Sequence, residues 1–255
     1  MTVNELINTD STKVRIFIVR HGQTDWNTKK ILQGHKDISL NENGQQQAQK
    51  VAERLTDFKF DQIVSSDLTR CLETLQPIIN NNRFMNVDDV TVADLKSANG
   101  DGKDGEVKVV PAFRKTSNLR ERQMGPVEGM YIKDAIAKYG EKNYKDLGET
   151  KTHMIERVSS EWETIWKDSI SQNQKNVLLC THGGVITNLS NYLFSDVGYK
   201  LGDGLTGDDL RFPFNTSVTV VDVNKEDLKD GCIAVFGSTL HLGAERLKVA
   251  DQRIV

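Results

Sequence analysis

The residues best suited to chemistry stand where two apolar runs end abruptly. One run closes as Ile-Val-Arg20-His21-Gly22, the other as Leu-Cys-Thr181-His182-Gly183-Gly184. A third polar junction, Ser65-Ser66-Asp67, leads one helical turn later to Arg70. Two imidazoles and two guanidiniums make a set suited to phosphate. The guanidinium fork matches phosphate oxygens better than a lysine ammonium does. A neutral imidazole, with an ordinary pKa of about 6.5, is a competent nucleophile toward phosphorus near neutral pH. Arginines that hold the dianion would also stabilise the charge spread over its equatorial oxygens during transfer. A leaving alkoxide needs a proton donor. Glu121, in "NLRERQMG", is a candidate, and by spacing alone Glu128 is nearly as plausible.

Such residues converge only if their strands lie side by side. Val14 to Val19 and Asn176 to Cys180 are apolar at consecutive positions, the mark of strands buried on both faces. Between them, Asn41 to Leu55 reads as a helix capped by Asn41, with Ala48, Val51, Ala52 and Leu55 on one stripe. A short strand at Gln62 to Val64 and a helix from about Asp67 to Ile79, capped by Asp67, follow. His153 to Ile170 is a helix whose stripe includes Val158, Trp162, Ile165 and Trp166, which makes the tryptophans core residues. Another helix starts near Val185, and strands are expected at Glu106 to Val110, Ser217 to Val223 and Cys232 to Gly237. This alternation predicts one α/β domain over residues 1–255, a three-layer α/β/α sandwich around a mostly parallel sheet. Ligands of such sheets bind beyond the carboxyl ends of the strands, where helix N-termini favour an anion. Asn80 to Gly105, with NNN, NGDG and KDG, has the composition of a flexible insertion.

In order along the chain, "RHGQTDWN", the arginine of "SSDLTRCLETL", "LRERQMG" and "THGG" resemble the motif series of the histidine phosphatase superfamily, in its phosphoglycerate mutase-like branch. With "LQGHKDISLNENG" and "FNTSVTVVD" the resemblance spans most of residues 14–223. RHG alone is a weak signal; four motifs in order, each at a strand end, are specific. The resemblance implies a phosphoglycerate mutase-like fold with His21 as the nucleophile that becomes phosphohistidine. It implies that Arg20, Arg70 and His182 line the phosphate pocket. Glu121 would protonate the leaving group and then help to activate water. Asn27, Gln33, Gly34 and the backbone at Gly183 would complete the phosphate contacts. No metal or other cofactor is implied, since the arginines supply the positive charge.

Bulk properties narrow the field further. The chain is 37% hydrophobic and 27% charged with a net charge of −3, which offers no general attraction to nucleic acid or to an anionic membrane. No apolar run is long enough to cross a bilayer, and the N-terminus lacks a secretory pattern. Cys71, Cys180 and Cys232 are widely spaced and form no CxxC pair, as expected of core thiols in a reducing compartment. The cytosol, with the nucleus open to the same protein, is the simplest address, and the expected partner is a small-molecule phosphomonoester. No HxH or HExxH spacing supports a metal hydrolase. His35, His153 and His241 read as incidental. Mutase-type members of the family carry a paired arginine after the "LRERQMG" position. Here no arginine follows until Arg157. That departure favours a broad-specificity phosphatase with an acidic optimum, set by the need to protonate Glu121. Phosphoglycerate mutase or a fructose-2,6-bisphosphatase-like activity is the alternative, and a non-catalytic phospho-ligand binder is the alternative of another class. The completeness of the motif set argues against the binder. Oligomeric state has no readable signal.

Overall fold

Strand β1, Lys13–Arg20, is apolar at successive positions because both of its faces are covered. Val14, Ile16 and Ile18 point into one core cluster, and Phe17 and Val19 into the other. The computed structural model describes residues 8–85, 90–98 and 112–245. In it β1 is the central member of a seven-stranded sheet with β2 (Gln62–Ser66), β3 (Ala112–Thr116), β4 (Asn176–Thr181), β5 (Lys200–Leu201), β6 (Val218–Asn224) and β7 (Gly231–Ser238). The order is β3-β2-β4-β1-β6-β7-β5. Four pairings are parallel, while β6 runs antiparallel to both of its neighbours, so the expected mostly parallel sandwich is present. Helices α2 (Glu42–Leu55), α3 (Thr69–Asn80) and α4 (Val92–Ser97) cover one face. Helices α6 (Lys151–Ser171) and α7 (Gly183–Tyr192) cover the other. Two further helices, α1 (Asp25–Thr28) and α5 (Ile132–Tyr139), lie near the carboxyl end of the sheet. There Leu32, Val127, Ala135 and Tyr144 form a third, small cluster.

The helix boundaries show where local signals governed and where distant ones did. Asn41 caps α2 as its sequence predicts, accepting from the Gly44 amide at 2.9 Å. Gly44 is required by a crossing rather than by the helix: a Cβ on it would collide with the Gln23 carbonyl oxygen and stand 2.8 Å from the Gln23 nitrogen. The start of α3 differs from expectation. Asp67 does not cap it; Asp67 forms a two-pronged ion pair with Arg120 at 2.6 and 2.7 Å. The cap comes from Asp37, which accepts from the Thr69 amide at 2.7 Å and the Thr69 hydroxyl at 2.6 Å. On α6 the buried edge is Met154, Val158, Trp162 and Ile165, with Glu161 beside it. Glu161 pairs with Arg114 at 2.5 Å and accepts from Asn118, which ties α6 to the end of β3.

The strand expected at Glu106 to Val110 lies outside the described residues, as do 86–89 and 99–105 of the expected flexible insertion. Within that insertion Thr91 caps α4, and Leu95 is fully buried in the core. Among the described residues no helix is long and apolar enough to cross a membrane.

Candidate active site

Register decides which side chains meet. Arg20 at the end of β1 pairs with Thr181 at the end of β4, so His21 and His182 leave adjacent strands at the same level. Their rings lie 5.2 Å apart, centroid to centroid. Ser65 of β2 pairs with Cys180, which places Ser66 beside His182 and starts α3 close enough for Arg70 to reach back. Thr116 of β3 pairs with Ser66, and the chain continues from there to Glu121. The antiparallel β6 begins at the same end. The Thr216 amide donates to the Arg20 carbonyl at 3.0 Å, and Asn215 Nδ2 donates to the His21 carbonyl at 2.9 Å. Five chain segments thus converge on one crevice.

His21 is 3% exposed, and its Nδ1 lies 2.7 Å from the Gly22 carbonyl oxygen. A carbonyl only accepts, so Nδ1 carries the proton and Nε2 presents the lone pair. Burial, with Arg70 and Arg20 adding to it, holds the imidazole well below its ordinary pKa. The ring is therefore neutral at neutral pH. His182 is likewise pushed down, by burial first and then by Arg70, His21 and Arg20. Its Nδ1 accepts from Arg70 Nε at 3.2 Å, and its Nε2 donates to the Ser66 hydroxyl at 2.8 Å. His182 therefore orients a guanidinium in this structure.

Arg70 is 1% exposed and also donates to the carbonyls of Lys36 at 2.8 Å and Gly34 at 3.0 Å. Arg20 donates one Nη to the Pro213 carbonyl at 2.7 Å. Its Nε is buried with no protein partner among the described residues, and burial followed by the nearby Arg70 lowers its pKa to about 10. Two charged guanidiniums held together, one with an orphaned donor, are a standing demand for an anion.

Glu121 and Glu128 have different positions. Glu128 Oε1 accepts from the amides of His35 and Met124, both at 3.0 Å, and so pins two loops together. Glu121 lines the cavity with Arg20; its carboxylate accepts from the Gly184 amide at the start of α7 and from the Arg122 amide, both at 2.9 Å. The two glycines of "THGG" make room. A Cβ on Gly183 would stand 3.1 Å from Arg20 Nε, and one on Gly184 would crowd the Glu121 carboxylate. Of the other expected contacts, Gln33 is 8% exposed with an unpaired buried oxygen, and Gly34 uses its carbonyl on Arg70. Asn27 Oδ1 accepts from the Thr24 amide at 3.0 Å and stands 3.5 Å from Asn215 Nδ2.

Five positioning residues carry no strong local signal. Asn215 and Thr216 hold the β1 end, and Ser66 holds His182. His35 is not incidental: its Nε2 donates to the Glu121 carbonyl at 2.8 Å, where Arg157 also donates at 3.2 Å. Nor is His241, which reaches the Thr216 hydroxyl at 3.1 Å. Among the described residues no group of three or more His, Cys, Asp or Glu side chains could hold a metal ion.

Comparison with known proteins places this architecture. The sequence model of the histidine phosphatase superfamily (branch 1) matches residues 16–96 and 106–229, and the chain belongs to that family. It is 34% identical to a broad-specificity phosphatase of Saccharomyces cerevisiae, over 97% of this chain and 95% of that protein. It is 32% identical to a probable phosphatase of Schizosaccharomyces pombe, over 91% and 97%. A solved phosphoglycerate mutase of Bacillus anthracis superposes with a TM-score of 0.66 at 21% identity, covering 94% of this chain and all of that one. At that identity the superposition speaks for the fold alone.

Proposed function

We propose that the protein is a phosphomonoesterase of broad specificity that works through a phosphohistidine on His21. The observation that carries this is the state of His21: a buried neutral imidazole, its Nδ1 proton fixed on the Gly22 carbonyl, between two guanidiniums. Its phosphatase relatives support hydrolysis as the outcome.

The ester phosphate enters against Arg20 and Arg70 and engages the unpaired Arg20 Nε. Nε2 of His21 attacks phosphorus, the phosphorus–oxygen ester bond breaks, and its electron pair leaves on the alcohol oxygen. Protonated Glu121 gives that oxygen its proton, which expels a neutral alcohol and leaves a carboxylate. The imidazole now carries phosphorus on Nε2 and a proton on Nδ1, and the Gly22 carbonyl stabilises the positive charge. Water then enters; Glu121 takes its proton as the oxygen attacks phosphorus. The phosphorus–nitrogen bond breaks back onto Nε2, and inorganic phosphate departs. The arginines stabilise the equatorial oxygens in both transfers.

Water as the acceptor is supported by the lack, among the described residues, of a free arginine pair beside the phosphate site. Arg122 donates to the carbonyls of Leu147 at 2.8 Å and Glu149 at 3.1 Å, and Arg157 forms a two-pronged pair with the Glu149 carboxylate at 2.6 and 2.8 Å. Arg157 is thereby taken up by Glu149, which leaves no arginine pair to grip a substrate carboxylate among the described residues.

Brief incubation with a labelled phosphomonoester, followed by quenching, is the direct test. The protein should retain label that is stable in base and lost in acid, and His21→Ala should retain none and lose para-nitrophenyl phosphate turnover. Acid-stable label, or equal turnover by the two proteins, would overturn the mechanism.

A further inference from the structure

Beyond the phosphate groups, the crevice opens into a cavity of about 690 Å³, bounded at its inner end by Arg20, Glu121 and Gly183. That volume is within the roughly 300–1,000 Å³ range of sites that enclose whole organic ligands. Met124, Tyr144, Met154, Phe212, Pro213 and Phe214 give the cavity an apolar lining. The last three are joined covalently and by hydrogen bond to the phosphate machinery. Pro213 supplies the carbonyl held by Arg20, and Asn215, which follows Phe214, holds His21.

Phe212 lines the cavity and is 55% exposed. Its backbone sits at φ +48°, a left-handed conformation that costs a bulky residue of order 1–2 kcal/mol where glycine would adopt it freely. A strained backbone thus coincides with a cavity-lining aromatic, the setting in which such strain clusters at ligand sites. The charged residues that line the cavity carry both signs: Arg122 holds two carbonyls through one Nη, Glu149 is taken up by Arg157, and Lys145 and Lys151 stand with Asp146 along the lining.

We propose that this cavity binds the alcohol portion of the substrate and selects phosphomonoesters whose alcohol carries an aromatic ring. The proposal rests on the phosphatase reading above and sharpens its substrate class. The ring packs against the apolar lining that includes Phe212, Phe214 and Met124 while Arg20 holds the phosphate. Burying it is worth a factor of about 10 to 100 in selectivity.

The test compares kcat/KM for 2-phenylethyl phosphate and ethyl phosphate, primary alkyl esters that place equal demands on the proton donor. The ratio should be about 10 to 100 in wild type and fall at least about threefold in Phe212→Ala. Phe212→Gly, which the positive φ accommodates, should lower it equally and thereby excludes a folding artefact. Calorimetric binding of the two matching phosphonates checks the cavity without turnover. Hydrolysis of both esters at similar kcat/KM, or an unchanged ratio in both variants, overturns the cavity assignment and leaves the hydrolase reading standing. Tighter binding of the phenylethyl phosphonate with no turnover of either ester would overturn the hydrolase reading alone.

Discussion

Gly184→Ala isolates the proton donor from everything else in the site. The added Cβ would stand 3.0 Å from Cδ of Glu121 and closer still to one carboxylate oxygen. Ordinary contact lies near 4 Å, so the carboxylate must retreat by about 1 Å. The obstacle is the far end of a flexible side chain, so the fold accommodates the change. Alanine in a helix is also better than glycine by about 0.5–1 kcal/mol. The melting temperature should therefore hold or rise slightly. Chemistry should not hold: a 1 Å displacement of a catalytic group costs on the order of 10²-fold. That loss depends on how much the leaving group needs its proton. The discriminating quantity is kcat/KM, which reports the first phosphoryl transfer, for ethyl phosphate and para-nitrophenyl phosphate. Ethoxide is a poor leaving group without protonation, so its ester should lose about 10²-fold. Nitrophenolate departs unaided, so its ester should lose less than about tenfold. Equal losses for the two esters, or no loss for either, would refute Glu121 as the proton donor.

The buried histidines make two statements about pH. Because His21 is held well below its ordinary pKa, its nucleophilic form persists as pH falls through 6.5, and the acid limb of kcat/KM should lie below that value; a limb centred at 6.5 would contradict it. His182 is depressed in the same way, and His241 is pushed down to about 3, chiefly by burial. Each is protonated in the unfolded chain below about pH 6.5 while the folded form stays neutral. Folding stability is therefore full above that pH and lost below it, by about 1.4 kcal/mol per pH unit for each group until its folded pKa is reached. Urea midpoints at pH 7.5 and 5.5 check the sign. Glu161→Ala strands Arg114 and unties α6 from the segment leading to Glu121. It should cost about 3 kcal/mol, a fall of roughly 6–12 °C in melting temperature; a shift under 2 °C would show that the pair contributes little.

The strand ends were readable because residue type and position coincide there: an unbroken apolar run that stops on Arg-His-Gly has few explanations. The Asn41 cap was readable because its partner is three residues away. What escaped depends on residues distant in the chain. Asp67 has the type and place of a helix cap, yet Arg120 takes it and Asp37 does the capping from another loop. Glu121 and Glu128 are equivalent by spacing, and only the fold separates a cavity-lining carboxylate from one that pins two loops. His35 and His241 look idle because their partners lie 86 and 25 residues away. β5 has two residues, too few to carry a pattern, and exists by pairing with β7.

The convergence of five chain segments also bears on how the protein acquires activity. His21 is fixed by Asn215, 194 residues later, and Arg70 by His182, 112 residues later. Contacts this remote close late in folding, because the entropy of long loops must be overcome before they form. A partly assembled sheet can bury its apolar helices and still lack every element of the phosphate site. Enzymatic turnover during refolding consequently reports on the docking of β4 and β6 beside β1, which collapse alone does not supply. A chain interrupted before Asn215 would keep both histidines and both arginines and still lack the Asn215 and Thr216 contacts that hold the end of β1.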